Sequence, residues 1–160
     1  MLMPPQLARY YSDNLKLTAQ GNPERLLAEM GLLNMDEFDK YGAQKMPLLK
    51  NLMQMSSLNI CKAYQKNFRS LPRIASFIGT SNRTDLLRDP TGSRRFICIE
   101  AEHDIDCTGI EHSQIYAQLK EELLAGARHW FSKEEEHALQ RHNSAYYHCL
   151  LYTSDAADDR

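Results

Sequence analysis

Two adjacent acids, Asp36 and Glu37, close the apolar run of "GLLNMDEFDKY". A carboxylate is rarely buried without a partner, so the pair calls for water, a basic neighbour or a metal ion. Further along, "IASFIGTSN" ends on Thr80, Ser81 and Asn82, and "DPTGSRRF" presents Arg94 and Arg95 after a turn. These residue types suit phosphoryl transfer from a nucleotide, whose catalysis is mostly positioning and charge stabilisation. Asp36 would hold Mg²⁺ through water, and Glu37 would orient and deprotonate the attacking water. Asn82 would hydrogen-bond that water or the γ-phosphate, and an arginine reaching across a subunit interface would stabilise the transition state. Each piece has a plainer reading: the acids cap the helix that follows, "GTSN" is only a turn, and "RR" is a solvated corner.

The elements that must position these groups follow from periodicity. Leu32–Asp36 reads as a short buried strand, because a continuous apolar run suits a strand covered on both faces. Met46–Met55 reads as a helix with Pro47 in its first turn and an apolar face of Leu48, Leu49, Leu52 and Met53. Leu58–Tyr64 and Arg73–Ser81 are expected to be extended and joined through "QKNFRSLP" as a hairpin with a basic tip. Asp89–Gly92 is a strong turn signal, and Arg95–Glu100 alternates as a strand would. His112–Arg128 reads as a helix, and Ser132 with Glu135 has capping-box spacing at the start of another. Strands alternating with helices predict an α/β fold, with the site at the C-terminal ends of the strands.

A chain of 160 residues with 42% apolar and 25% charged residues is that of one globular domain. Met1–Tyr11 has no charged start followed by an apolar stretch, and no apolar run reaches membrane-spanning length, so neither a signal peptide nor a span is expected and a cytoplasmic protein is. The four cysteines show no paired spacing. Cys98, His103 and Cys107 are read as buried thiols beside a surface histidine rather than a metal site. His129, His137 and His142 do not share a helix face, and Trp130 and Phe131 are expected to anchor a core or an interface.

Charge is distributed unevenly. Between Asp39 and Asp85 no acid occurs, while Lys40, Lys45, Lys50, Lys62, Lys66, Arg69, Arg73 and Arg83 all fall there. Such a block suits contact with phosphate, against the alternative of a solvated face with acids supplied from elsewhere in the fold. "CLLYTSDAADDR" at the end resembles translated read-through of a sequencing adapter, so residues 148–160 are expected to be a non-native tail. Without Asp155, Asp158, Asp159 and Arg160 the remainder carries 18 basic and 18 acidic residues.

"LLNMDEFDKY", "MPLLKNLMQ", "LPRIASFIGTSN" and "DPTGSRRF" resemble the virulence-associated protein E (VapE) family over residues 1–147. The resemblance implies part of a P-loop ATPase of the AAA+ and superfamily 3 helicase kind, from primase–helicases of phages and mobile elements. It matches Asp36 and Glu37 to the Walker B acids, Asn82 to the sensor residue, and Arg94 or Arg95 to the arginine finger. It also implies ATP and Mg²⁺ as cofactors, DNA as partner and a homo-oligomeric ring. By the same likeness Lys62, Lys66 and Arg69 would sit on a hairpin facing the DNA backbone, where Tyr64 or Phe68 would stack on bases or, as the favoured reading, pack beneath the hairpin. The G-x-x-x-x-G-K-[ST] loop that cradles phosphates is nowhere in the chain, so a fragment beginning after that loop and inactive alone is expected. Two rival functions fit the same residues: a non-catalytic nucleic-acid-binding module using the basic block of residues 40–84, and a metal-dependent nuclease built on Asp36, Glu37 and Asp39.

Overall fold

The computed structural model describes residues 3–18, 21–42, 44–61, 68–87 and 94–147. Five strands and four α-helices are present among them: β1 (Tyr11–Ser12), α1 (Pro23–Glu29), β2 (Leu32–Met35), α2 (Met46–Gln54), β3 (Ser57–Cys61), β4 (Phe68–Pro72), β5 (Ser76–Gly79), α3 (His112–Leu124) and α4 (Lys133–Asn143). The α/β fold expected from the alternation of elements is the fold observed.

A three-stranded parallel sheet in the order β1-β2-β5 is its centre. Leu32, Leu33, Asn34 and Met35 of β2 stand opposite Ser76, Phe77, Ile78 and Gly79 of β5. Alternation along β2 sends Leu33 and Met35 to one face, and both are buried there in a core with Leu27, Leu49, Leu52 and Leu58. Asn34 and Leu32 share the other face. α2 explains itself: Pro47 occupies the first turn, where its missing N–H costs nothing, and Leu49 and Leu52 recur three apart and are fully buried.

The connection between α2 and β5 differs from expectation. The hairpin is formed by β3 and β4, with Ser57 opposite Pro72 and Cys61 opposite Phe68, so "FRSLP" is a strand and not a link. β5 belongs to the parallel sheet instead. Arg73 makes the change of sheet possible: its N–H donates to the Ser56 carbonyl, and its guanidinium donates to the carbonyls of Met55 (2.8 Å) and Ala75 (2.6 Å). A cation at the end of α2 also suits the negative pole of that helix. All of β4 is exposed, including Phe68 at 71%, which overturns the packing of Phe68 beneath the hairpin.

Two further differences have local causes. Arg95–Glu100 pairs with no strand among the described residues, although burial still alternates, with Cys98 buried and Ile97 and Ile99 exposed. The carbonyls of Phe96 and Cys98 instead accept hydrogen bonds from the Asn143 amide (2.9 Å) and His142 Nε2 (2.8 Å) at the end of α4. α3 stops at Leu124 and not at Arg128, because Gly126 takes φ +83 and its N–H turns back to the Leu123 carbonyl while Ala127 bonds Glu122. Ile115, Leu119 and Leu123 of α3 are exposed, as are Trp130 and Phe131, so these aromatics are not core anchors.

α4 begins as its spacing predicts. Ser132 accepts from the Glu135 N–H and Glu135 accepts from the Ser132 N–H, a complete capping box, with Arg128 also on Glu135. None of the described helices is long and apolar enough to cross a membrane.

Leu49→Ala is expected to cost about 3 kcal/mol of stability in denaturant unfolding, since it opens a cavity where α2 meets the sheet. The capping box sets a pH dependence. The Glu135 carboxyl is held below its ordinary value, first by the Ser132 N–H and further by Arg128. A depressed carboxyl pKa stabilises the folded form above the unfolded value and loses that contribution as pH falls through the folded one. Acidification below about pH 4.5 should therefore fray α4 first, visible in its amide exchange, and Glu135→Gln should flatten that response.

Candidate functional site

β2 and β5 end side by side, and the two turns that follow are laced together. The Phe38 N–H donates to the Thr80 carbonyl at 2.7 Å, and the Thr80 N–H returns to the Met35 carbonyl at 3.2 Å. Thr80 Oγ1 donates to Asp36 Oδ1 at 2.5 Å, and Ser81 Oγ donates to Asp39 Oδ1 at 2.9 Å. The sequence-predicted acids and the "TSN" stretch thus meet, although 44 residues separate Asp36 from Thr80.

The acids answer the burial problem by not being buried: both Asp36 and Glu37 are exposed at the sheet's C-terminal edge. Nor do they cap a following helix, since the short 3-10 turn Phe38–Lys40 has no side-chain cap and α2 starts only at Met46. Glu37 has φ 51 and ψ 53, the left-handed region that a residue with a Cβ enters at a cost of about 1–2 kcal/mol. This twist lets the chain turn off β2 so that Phe38 points back into the core. Phe38 is buried against Gly79, where an added Cβ would lie 3.3 Å from the Phe38 Cβ, and its ring stands 5.7 Å from that of Phe96.

That last contact brings the segment beginning at Arg94–Arg95 towards the acids. Arg94 is exposed and Arg95 half-buried, and among the described residues neither guanidinium is hydrogen-bonded to Asp36 or Glu37. Asn82 is exposed between Ser81 and Arg83. Glu37 is paired with Lys40 at 2.5 Å, and this carboxylate is the first cause that raises the Lys40 ammonium above its ordinary pKa.

The basic block is less of a surface than its composition suggests. Arg73 is spent on backbone carbonyls, Lys40 on Glu37, and Arg83 on a bidentate fork to Asp85 at 2.7 and 2.5 Å. Lys45 stands 5.6 Å over the Tyr41 ring. Arg69 is exposed on β4, whereas Lys62, Lys66 and Tyr64 lie outside the described residues, as do Asp89–Gly92 and residues 148–160.

Among the described residues no group of three or more His, Cys, Asp or Glu side chains could hold a metal. Cys98 is buried, which pushes its thiol pKa up, and Cys107 is exposed. The donor set at Asp36 nonetheless fits a hydrated Mg²⁺, which keeps most of its waters and needs one or two carboxylates. The Glu37 N–H and Thr80 Oγ1 both donate to Asp36 Oδ1, so the Oδ2 oxygen is the one that faces a ligand. Thr80 and Ser81 supply hydroxyls that tie Asp36 and Asp39, roles that the sequence alone does not assign. Their signal was the run of small polar residues at a strand end.

An α/β domain with paired acids at the C-terminal edge of a parallel sheet is what these elements define. The family model for the virulence-associated protein E-like domain matches residues 4–148, and the chain belongs to that family. A search of curated proteins found no match.

Proposed function

We propose that this chain is the acid-to-arginine part of an ATP-hydrolysing motor of a phage or mobile element, one that unwinds DNA or serves a primase. The observation that carries the reading is the lacing of two adjacent strand ends, which ties Asp36 to Thr80 and Asp39 to Ser81 in the turns that also carry Glu37 and Asn82. Asp36, whose carboxylate rotation Thr80 fixes, would hold Mg²⁺, which would supply positive charge against the phosphates. Glu37 takes the proton of the attacking water, and Asn82 orients that water or the γ-phosphate. Arg94 or Arg95 reaches the site of a neighbouring copy in a ring, in keeping with their place outside their own acid turn. The phosphate loop would be supplied on a strand pairing with β5. β5 is bonded on one side only among the described residues and leaves Ile78 40% exposed, unusual for a parallel strand.

Glu37→Gln tests this in a chain extended upstream through a phosphate loop. Turnover should fall by about a hundredfold or more with nucleotide binding kept. Unchanged turnover would leave the non-catalytic nucleic-acid-binding module in its place. The 160-residue chain should bind a fluorescent ATP analogue weakly or not at all, and micromolar affinity would sink the argument that the phosphate contacts lie elsewhere.

DNA binding is assigned to the β3–β4 hairpin, with Lys62, Lys66 and Arg69 on the backbone. Support comes from the exposure of the whole of β4, which leaves Phe68 and Arg69 accessible together. Lys66→Ala and Arg69→Ala should each weaken single-stranded DNA binding irrespective of sequence. Each should also reduce the slope of log K against log salt by roughly 0.7. A slope that does not move in either variant would place the DNA elsewhere.

A further inference from the structure

We propose that Asp39 is a positioning residue which, through Ser81, fixes the turn that carries Asn82. The catalytic meaning of this rests on the motor reading above. Asp39 lies three residues beyond Asp36 and is half-buried, and no part of the proposed hydrolysis uses it. Its Oδ1 accepts from Ser81 Oγ at 2.9 Å across 42 residues of sequence. The same Ser81 oxygen accepts from the Arg83 N–H at 3.0 Å. Ser81 thus spans from the acid turn to the backbone on the far side of Asn82.

Arg83 is itself held. Its guanidinium forks onto Asp85, the first cause that raises its pKa, with the charge of Asp39 a lesser contribution in the same direction. On the other side of Asn82, Thr80 is anchored by its carbonyl to the Phe38 N–H and by its hydroxyl to Asp36. Every residue from Thr80 to Arg83 except Asn82 therefore has a side-chain tie, and the ties run to the same acid turn or to Asp85. An exposed amide at the tip of a turn held at both ends can meet a ligand without first being ordered, which is how supporting hydrogen bonds raise the precision of a site. The bond asks of Asp39 only an acceptor. An asparagine Oδ1 can accept from a serine hydroxyl as a carboxylate does, whereas a metal ligand would need the charge.

The test compares Asp39→Asn, Asp39→Ala and Ser81→Ala in this chain. The readouts are the backbone and side-chain amide signals of Asn82 and hydrogen exchange at the Arg83 N–H. Asp39→Ala and Ser81→Ala should both shift the Asn82 signals and speed Arg83 exchange by about five- to tenfold, the size expected from one lost hydrogen bond. Asp39→Asn should stay within about twofold of the parent, and Asp39→Ala with Ser81→Ala should be no worse than either alone. In the chain extended upstream, Asp39→Ala should lower kcat with KM unchanged, and Asp39→Asn should restore it. Asn82 signals unmoved by Asp39→Ala, or Asp39→Asn behaving like Asp39→Ala, would overturn the proposal. The two readings fail separately. Asn82 displaced by Asp39→Ala while Glu37→Gln leaves turnover untouched supports the clamp and removes the motor.

Discussion

The burial of Phe38 sets where the charged groups of this domain can be. It follows two exposed acids, and the chain reaches it only by placing Glu37 in the left-handed region. Its ring fills the space beside Gly79 and faces Phe96, while its N–H is bonded to the Thr80 carbonyl. One side chain therefore ties three segments together: the acid turn, the end of β5, and the stretch after Arg94–Arg95. The strain at Glu37 is offset by apolar burial, since removing a phenylalanine from water is worth more than the left-handed penalty. This also explains why the acids are exposed. Both acids lie beyond the end of β2, in the turn that the left-handed Glu37 bends so that Phe38 goes inward, and both face the solvent at the sheet edge.

Much of this was legible in residue order, and what was not has a physical cause. The apolar run of β2, the proline in the first turn of α2 and the Ser132–Glu135 cap are local signals, set by alternation, a missing N–H and a three-residue spacing. The hairpin is not fixed by residue order, because "FRSLP" and "IASFIG" are both apolar enough to be strands. Which one returns along β3 depends on Arg73, whose bonds to Met55 and Ala75 make the break between them. The end of α3 is set by Gly126, whose left-handed conformation is the commonest way for a helix to end, although the helical periodicity continues past it. The sensor-like stretch was found from composition, but its ties to Asp36 and Asp39 cross more than forty residues, and no spacing rule reaches that far.

The basic block illustrates a limit of counting charges. Eight basic residues without an acid suggest a phosphate-binding face, yet Arg73 works inside the fold and Lys40 and Arg83 are matched to acids just outside the block. Only by position in the fold can the remainder be sorted. Arg69 stands on an edge strand that is exposed throughout and accompanied by Phe68, a different setting from the three that are spent. Exposed ion pairs such as Lys40–Glu37 add little to stability, so their meaning lies in which charge they keep near the acid turn.

The parallel sheet gives the remaining step. β2 is buried along most of its length, while its neighbour β5, equally long and fully paired to it, is mostly exposed. The extended stretch after Arg95 shows a related imbalance: its Phe96 and Cys98 carbonyls are bonded to α4, while Ile97 and Ile99 are 60% and 86% exposed. Parallel strands are stable where both faces are covered, because their side chains are apolar on both sides. β5 leaves Ile78 40% exposed on the edge of the sheet whose C-terminal end carries the turns of Asp36 and Asn82. Under the motor reading this is the expected cost of a site completed by another strand: the surface that must receive the phosphate loop cannot already be packed.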